Sequence, residues 1–398
     1  MPTSAPQKLR NVNVFAASLF LDSFAKRKKY KIMWKETKVV KNVGYDNFDA
    51  RFGAYATDEA DKKSILYIGD KGILLGRVTC VKSYGDKVIV QVNDGAGLND
   101  AMLYTKDGEQ LNVVNNTISL DDNTNKRYLN VYMRDGVNYN DYNNLVDIET
   151  DKVIFKEDYL GLRFVFNDMI FSNRDNIITR YDWDGSILWQ HNYEPDFNVT
   201  IDLGFVLEGV CGGKLWVKSK YDRHEILLAI DVNTGELVKA FSDSEEDTNL
   251  PHCNYGSFGG VYLNCENDHV LIVTMDREFN NFMNFVDAKT LDVIEKTDYT
   301  INYDYDDEYA FRISEFQGDC ITVKIMGLNA DFANFTGFAV YNYKTKEVVF
   351  AHRLITSEHA ADGLHISTLS PLHYSPNSGC FLVHDNSENL HIFEDVKE

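Results

Sequence analysis

The chain has 398 residues, of which 44% are hydrophobic and 13% aromatic, a composition that supports a large core and excludes global disorder. It carries 40 Lys and Arg against 61 Asp and Glu, a formal charge of −21. A surface of that sign repels nucleic acid and anionic membranes and attracts basic proteins. A net negative charge also keeps a large protein soluble, whatever it binds.

The N-terminal segment has one short apolar stretch, residues 14–21, and a basic cluster follows it. That order is wrong for a secretory signal, and the stretch is too short to span a bilayer. The six cysteines are scattered and form no C-x-x-C motif, which is typical of reduced thiols. We therefore expect a cytoplasmic protein without a cofactor. Residues 1–28 are expected to be an N-terminal extension that is partly helical or ordered against the main domain.

One pattern recurs along the chain: a short apolar strand, a tight polar turn and a second apolar strand. In chain order its copies are SILYIGDKGILL (64–75), AMLYTKDGEQLNVV (101–114), NNLVDIETDKVIFK (143–156), IITRYDWDGSILWQ (177–190), LLAIDVNTGELVKAF (227–241), FMNFVDAKTLDVIEK (282–296) and FAVYNYKTKEVVFAH (338–352). The turn opens on Asp147, Asp182, Asp231, Asp287 or Asn342, and Thr or Gly follows three residues later. An Asp or Asn side chain accepts a backbone N–H two residues on, and Gly tolerates the positive φ of a tight turn. Each copy is therefore predicted to be a β-hairpin.

Two further strand-like runs precede the later hairpins, for example IDLGFVLEG and KLWVKSK before Asp231. Four strands per repeat at this period are typical of a propeller blade. At the C-terminus, GCFLVHD (379–385) and NLHIFED (389–395) form a partial copy that stops one strand short. We predict that KYKIMWKE (29–36) completes this last blade, so that both ends of the chain share one sheet and no edge is left exposed.

The fold class predicted for residues 1–398 is a single all-β domain, a β-propeller of four-stranded antiparallel blades. Eight blades are expected, with the ring closed by an N-terminal strand in the last blade. Seven is the alternative, because the inner strands of the first blade (37–75) are weakly patterned. A pair of β-sandwiches and an open solenoid are competing architectures, but solenoids keep a stricter period and sandwiches lack a repeated hairpin.

The repeat frame x-A-x-D-x-x-T-G-x-x-x-W/F resembles the quinoprotein-type (PQQ-like) propeller repeat. The best matches are LLAIDVNTGELVKAF and ITRYDWDGSILWQ, and Trp189 stands at the family's docking-tryptophan position. Apolar residues take that place in the other copies: Leu75, Val114, Phe155, Phe241, Ile294 and Phe350. The resemblance implies a ring of seven or eight blades, many examples of which serve as protein-binding scaffolds. It does not imply quinone chemistry, because quinone dehydrogenases of this fold are exported and usually carry an adjacent cysteine pair.

The connections lengthen in the later repeats. Residues 242–256, 297–309 and 354–365 join one blade to the next, and residues 326–337 join a second strand to a third. In a propeller these two classes of connection lie on the same face. We therefore expect an acidic and aromatic partner-binding surface formed by Asp243, Glu245, Glu246, Asp247, Tyr303, Asp304, Tyr305, Asp306, Asp307, Glu308, Phe332 and Phe335. Carboxylates would steer a basic protein or peptide and aromatic rings would anchor it; the alternative is a set of solvated acidic loops.

Four histidines, at 352, 359, 365 and 373, fall close together, but their spacing matches neither a helical pair nor a zinc finger. No G-x-S-x-G, P-loop, H-E-x-x-H or Rossmann fingerprint is present. A non-catalytic binding protein is thus the first hypothesis, for instance an immunity protein, an inhibitor or an adaptor. The second is a hydrolase or lyase with a pocket at the propeller axis, using residues such as His252, Asp268 and His269. An architectural subunit is the third.

Overall fold

A computed structural model describes most of the chain. The residues that it describes are 34–93, 99–118, 125–134, 141–156, 162–174, 176–193, 201–221, 224–242, 257–275, 281–298, 301–302, 308–327, 335–370, 372–375 and 380–395. Within these ranges the chain is almost entirely β-strand, and no helix there has both the length and the apolar character needed to cross a bilayer.

The first part of the chain forms one large antiparallel sheet that follows strand β1 (Trp34–Val40). Its strands, in chain order and in sheet order, are β2 (Val43–Asp49), β3 (Ala54–Glu59), β4 (Lys63–Ile68), β5 (Lys71–Tyr84), β6 (Lys87–Asn93), β7 (Asn99–Thr105), β8 (Gln110–Thr117), β9 (Tyr128–Arg134), β10 (Asp141–Asp147) and β11 (Lys152–Lys156). A 3₁₀ turn, Ala60–Lys62, separates β3 from β4. Strand β5 is shared by two groups of strands, because its first half pairs with β4 and its second half with β6.

Three separate four-stranded meanders follow. They are β12 (Phe164–Phe166), β13 (Met169–Arg174), β14 (Ile177–Tyr181) and β15 (Ile187–Asn192); β16 (Ile201–Cys211), β17 (Lys214–Tyr221), β18 (His224–Asp231) and β19 (Leu237–Ser242); and β20 (Ser257–Asn264), β21 (His269–Met275), β22 (Asn281–Asp287) and β23 (Val293–Asp298). Each meander pairs its strands in chain order, as a propeller blade does.

The last two sheets complete the described chain. One contains β24 (Ile301–Asn302), β25 (Glu308–Gln317), β26 (Cys320–Gly327), β27 (Phe335–Asn342) and β28 (Glu347–Arg353). After the five-residue helix α1 (Ser357–Ala361), the other contains β29 (His373–Ser375), β30 (Cys380–His384) and β31 (Leu390–Asp395), with β1 beside β31. The fold is a β-propeller of successive antiparallel four-stranded units, as the sequence predicts.

The turns between third and fourth strands use the predicted chemistry. Asp231 Oδ1 accepts from Asn233 N at 2.9 Å, and Asp287 Oδ1 accepts from Lys289 N at 2.8 Å. Asn342 Oδ1 receives Lys344 N at 3.0 Å in the same way. Gly235, four residues after Asp231, has a φ of +74°, a left-handed value that a tight turn requires.

The predicted pairing between the two ends of the chain is present. Trp34 lies opposite Asp395 and Val40 opposite Leu390, so β1 is the outermost strand of the last sheet. Residues 29–33 of the predicted strand lie outside the described residues, and the described strand runs from Trp34 to Val40. The ring of Trp34 packs edge-on against Tyr374, at a centroid distance of 5.8 Å.

Neighbouring sheets contact each other at corresponding ends of their first strands. Asn167, just beyond β12, donates its side-chain N–H to Val210 O at the end of β16, at 3.0 Å. Asn264, at the end of β20, donates to Gly318 O just beyond β25, at 2.6 Å. The turns between first and second strands therefore share one end of the sheets, which we call the turn face. The opposite end, where first strands begin and second strands pass into third strands, is the loop face.

The outer strands also dock one sheet onto the next. Trp189 on β15 donates its indole N–H to Val232 O, at 2.8 Å, and its ring lies against Gly235 in the following sheet. Phe155 on β11 covers Gly185 in the same manner. A bulky ring in the fourth strand thus fills the space that a glycine leaves in the neighbouring turn.

Candidate functional site

The loop face carries a cleft of about 980 Å³ where the last sheet meets the first strands of the large sheet. Six chain segments line it: the start of β2, the turn between β3 and β4, the middle of β5, the end of β6, the segment that precedes β29, and the turn between β30 and β31. These segments are brought together only by the tertiary fold, since they extend from residue 44 to residue 388.

A buried histidine forms the floor of the cleft. His384 Nε2 lies 2.6 Å from Val43 O, and its Nδ1 lies 3.0 Å from Ser370 Oγ. Because a carbonyl oxygen can only accept, Nε2 carries the proton and Nδ1 accepts from the serine hydroxyl. Burial holds the pKa of His384 below its usual value, which keeps the ring neutral.

A buried lysine fixes the segment that forms one wall. Lys324 on β26 donates Nζ to Ser367 O at 2.6 Å and also to Ser370 O. Burial lowers the pKa of Lys324 to about 8. Two backbone carbonyls therefore hold this ammonium, and through it the segment preceding β29 is tied to the neighbouring sheet.

Two ionic contacts support the other walls. Lys82 on β5 places Nζ 2.7 Å from Asp46 Oδ1 on β2. His391 lies between two carboxylates, with Nδ1 2.9 Å from Glu36 Oε2 and Nε2 3.2 Å from Asp385 Oδ2. Burial opposes the charged ring, but hydrogen bonds to these two carboxylates outweigh it and raise the pKa of His391.

The rim of the cleft presents apolar side chains to solvent. Leu369 is 75% exposed and Tyr45 is 57% exposed. Exposed carboxylates stand beside them, at Asp61 and Glu388, and the cations Lys62, Lys63 and Arg77 line the same cleft. An aromatic ring and an aliphatic side chain among charges of both signs suit contact with a polypeptide.

The Ser370–His384 pair has the hydrogen bond that a nucleophile shares with its base, and we considered it as a catalytic pair. Ser370 is only 2% exposed and His384 only 4% exposed. The backbone N–H of Ser370 also donates to Ser367 Oγ at 3.2 Å, so this network joins buried segments. Its geometry is that of a buried hydrogen-bond network that holds neighbouring sheets together.

Most of the predicted partner-binding residues lie outside the described residues: Asp243, Glu245, Glu246, Asp247, Tyr303, Asp304, Tyr305, Asp306, Asp307 and Phe332. Glu308 begins β25, on the loop face, where a first strand starts. Phe335 is 6% exposed and packs in the core with Phe338 and Ile355. A partner would therefore not reach its ring, because the segments between β27 and β29 cover it.

The residues proposed for an axial active site lie elsewhere. Asp268 and His269 occupy the turn between β20 and β21, on the turn face, and His252 is outside the described residues. His269 Nδ1 contacts Tyr343 Oη at 2.9 Å in the next sheet, and Lys289 pairs with Asp268 at 2.5 Å. These side chains join neighbouring sheets, and their role in an axial active site stays a prediction.

The four clustered histidines are separated by the fold. His352 packs against Phe393, His359 lies in α1, His365 contacts Gly363 O at 3.1 Å, and His373 Nδ1 lies 3.0 Å from Glu315 Oε1. Across the described ranges, no three His, Cys, Asp or Glu side chains are placed to hold one metal ion.

Sequence reasoning missed the cleft because its walls are distant in the chain. It also missed a contact between Cys211 and Cys265, which occupy corresponding turns of two neighbouring repeats. Cys211 precedes Asp231 by 20 residues and Cys265 precedes Asp287 by 22, so an alignment of the two repeats brings these cysteines to nearly the same position.

No known protein family and no curated protein matches the chain. Among solved structures it is similar to a prolyl endopeptidase, with a TM-score of 0.49 and 10% identity over 96% of this chain and 61% of that one. Prolyl oligopeptidase B from Galerina marginata gives 0.48 and 9% identity, over 93% and 58%. The β-propeller domain of the Trilobed protease from Pyrococcus furiosus gives 0.46 and 12%, over 79% and 98%. The chain thus spans about three fifths of each of the first two proteins, and these likenesses assign no activity.

Proposed function

We propose that this chain is a non-catalytic, cytoplasmic protein-binding propeller whose loop face recognises a basic protein or peptide, as an immunity protein, an inhibitor or an adaptor would. The observation that carries the proposal is the cleft on that face, with Leu369 and Tyr45 exposed at its rim. Large apolar side chains that remain exposed beside a concave surface are typical of contact sites.

The direction of the strands supports a partner-binding surface that extends beyond the cleft. The connection after β19 leaves the sheet at its loop-face end, and β20 and β25 begin at that end. The acidic sequences 243–247 and 303–308 lie within these connections. With a net charge of −21, the protein attracts cationic partners over a distance and accelerates their encounter.

The proposal includes an eight-bladed ring of PQQ-like repeats. The large sheet divides into three four-stranded units if each half of β5 is counted with the group that it pairs with. The end of β8 is then counted with β9–β11. The other five sheets supply one unit each. The β1–β31 pair and the docking of Trp189 on Gly235 support closure and family resemblance.

Affinity capture tests the binding role. The tagged full chain should recover a basic protein from the native lysate, and increasing salt should release it. Reversing four charges of the acidic sequence that leads into β25, Asp304→Lys, Asp306→Lys, Asp307→Lys and Glu308→Lys, should weaken the isolated complex at least tenfold.

The matched control reverses four carboxylates on the turn face: Asp86→Lys, Asp168→Lys, Glu266→Lys and Asp319→Lys. Both variants undergo the same change in net charge. An equal loss of affinity in both variants would show that the partner responds to the net charge of the protein and not to a local surface. Undiminished binding by the variant with the four changes at 304–308 would refute the proposed surface.

A further inference from the structure

Two cysteines from neighbouring sheets meet on the turn face. Cys211 ends β16, and Cys265 follows β20 in the next sheet. Cys265 Sγ donates to the carbonyl oxygen of Val210, the residue before Cys211, at 3.2 Å, and Cys211 Sγ lies 3.9 Å from His269 O at the start of β21, so each thiol contacts the backbone of the other's sheet. Both cysteines are free thiols. The contact therefore joins two sheets without a covalent bond.

The two thiols differ in their access to solvent. Cys211 is 1% exposed, whereas Cys265 is exposed and lines a second cleft, of about 500 Å³. Asn167, Asp168 and Glu208 line the same cleft, so it is polar and open to small solutes. A small oxidant would reach Cys265 first, and Cys211 would be protected until its neighbour has reacted.

The two thiols also influence each other's ionisation. The neighbouring Cys211 thiol lowers the pKa of Cys265, and the interaction with Cys265 together with burial raises the pKa of Cys211. The thiolate is the reactive form of cysteine. Because Cys265 is exposed and has the lowered pKa, it is the more reactive sulfur, and Cys211 is its buried neighbour.

We propose that Cys265 and Cys211 form a peroxide-reactive thiol pair, in which Cys265 is oxidised first and Cys211 resolves it to a disulfide that links two neighbouring sheets. The Cys265 thiolate attacks one oxygen of hydrogen peroxide and breaks the O–O bond. The sulfur keeps that oxygen as a sulfenic acid, and the other oxygen leaves as hydroxide, which takes a proton to become water.

In the second step the Cys211 sulfur gives up its proton and attacks the sulfenic sulfur. The S–S bond forms, the S–O bond breaks, and the hydroxyl leaves with that proton as a second water. The two sulfurs lose two electrons in total, and the peroxide gains them. A dithiol reductant reverses the reaction.

The test uses the reduced full chain, treated with hydrogen peroxide under non-denaturing conditions and digested without reduction. Trypsin leaves Cys253 and Cys265 on one peptide, so the Cys253→Ser background makes the assignment unambiguous. We expect a peptide pair joined through Cys211 and Cys265, a loss of two free thiols, and a higher melting temperature that a dithiol reductant returns to its starting value.

Three variants in that background distinguish the roles. Cys211→Ser should accumulate sulfenic acid at Cys265, trapped by dimedone, because the resolving thiol is missing. Cys265→Ser should lose almost no thiol, because Cys211 is buried. Cys320→Ser, the matched control, should form the same link as its parent. Oxidation of Cys265 without a link to Cys211, or equally fast thiol loss in the Cys265→Ser protein, would overturn the proposal.

Discussion

Gly235 shows how one backbone angle governs a contact between sheets. Its φ of +74° suits glycine, and a Cβ at this position would stand 2.7 Å from Trp189 Cδ2. Gly213 has the same φ, but a Cβ there would meet no atom within 4 Å. The two glycines therefore separate the cost of the backbone conformation from the cost of displacing the docked indole.

We expect Gly213→Ala to lower the free energy of unfolding by about 1 kcal/mol, which is the cost of a left-handed alanine. Gly235→Ala should lower it by about 2–4 kcal/mol, because the ring must also move. Urea unfolding of both variants measures the difference. Equal losses would mean that the contact between Trp189 and Gly235 contributes little to the packing of the two sheets.

At the scale of elements, β1 is held by side chains as well as by its backbone. Glu36 on β1 accepts from His391 on β31, whose other nitrogen faces Asp385. Since the pKa of His391 is raised in the folded protein, its stabilising contribution is complete below pH 6.5, the ordinary value, and is lost as the pH rises through the raised pKa.

We predict that Glu36→Gln reduces this pH dependence. Between about pH 6 and pH 9 the native protein should lose about 0.5 kcal/mol more stability than the variant, the size of a partly exposed ion pair. The matched control is Glu394→Gln, which removes an exposed carboxylate from the same strand pair. Denaturant unfolding across this pH range gives the comparison, and parallel curves for all three proteins would contradict the role of His391.

The elements that the sequence predicts are those whose hydrogen bonds form between residues close together in the chain. Asp231, Asp287 and Asn342 each set a turn through atoms two or three residues away, so their hairpins were predicted correctly. The course of β5 was not predicted, because apolar alternation continues through Gly76 and nothing local indicates that the strand changes partners there. The cleft depends on contacts such as His384 with Val43, and the cysteine pair joins two repeats; neither leaves a signal in any single segment.

For the molecule as a whole, 61 acidic residues outnumber 40 basic residues, and the resulting net negative charge creates self-repulsion in the folded state. We expect the melting temperature to rise between about 0.02 M and about 0.5 M NaCl, because salt screens that repulsion more than it weakens exposed ion pairs. The same titration near pH 4.9, where the net charge is close to zero, is the control and should show little rise. A fall in melting temperature at neutral pH would show that attractive pairs dominate the surface.

Strand β5 connects two neighbouring groups of strands without an intervening loop. Its backbone runs from Lys71 to Tyr84 through two neighbouring groups of strands, with hydrogen bonds to β4 along one half and to β6 along the other. No loop intervenes to absorb a rotation between these groups. A tilt of the first group is therefore transmitted to the second through one continuous backbone, so the orientations of the two groups are coupled.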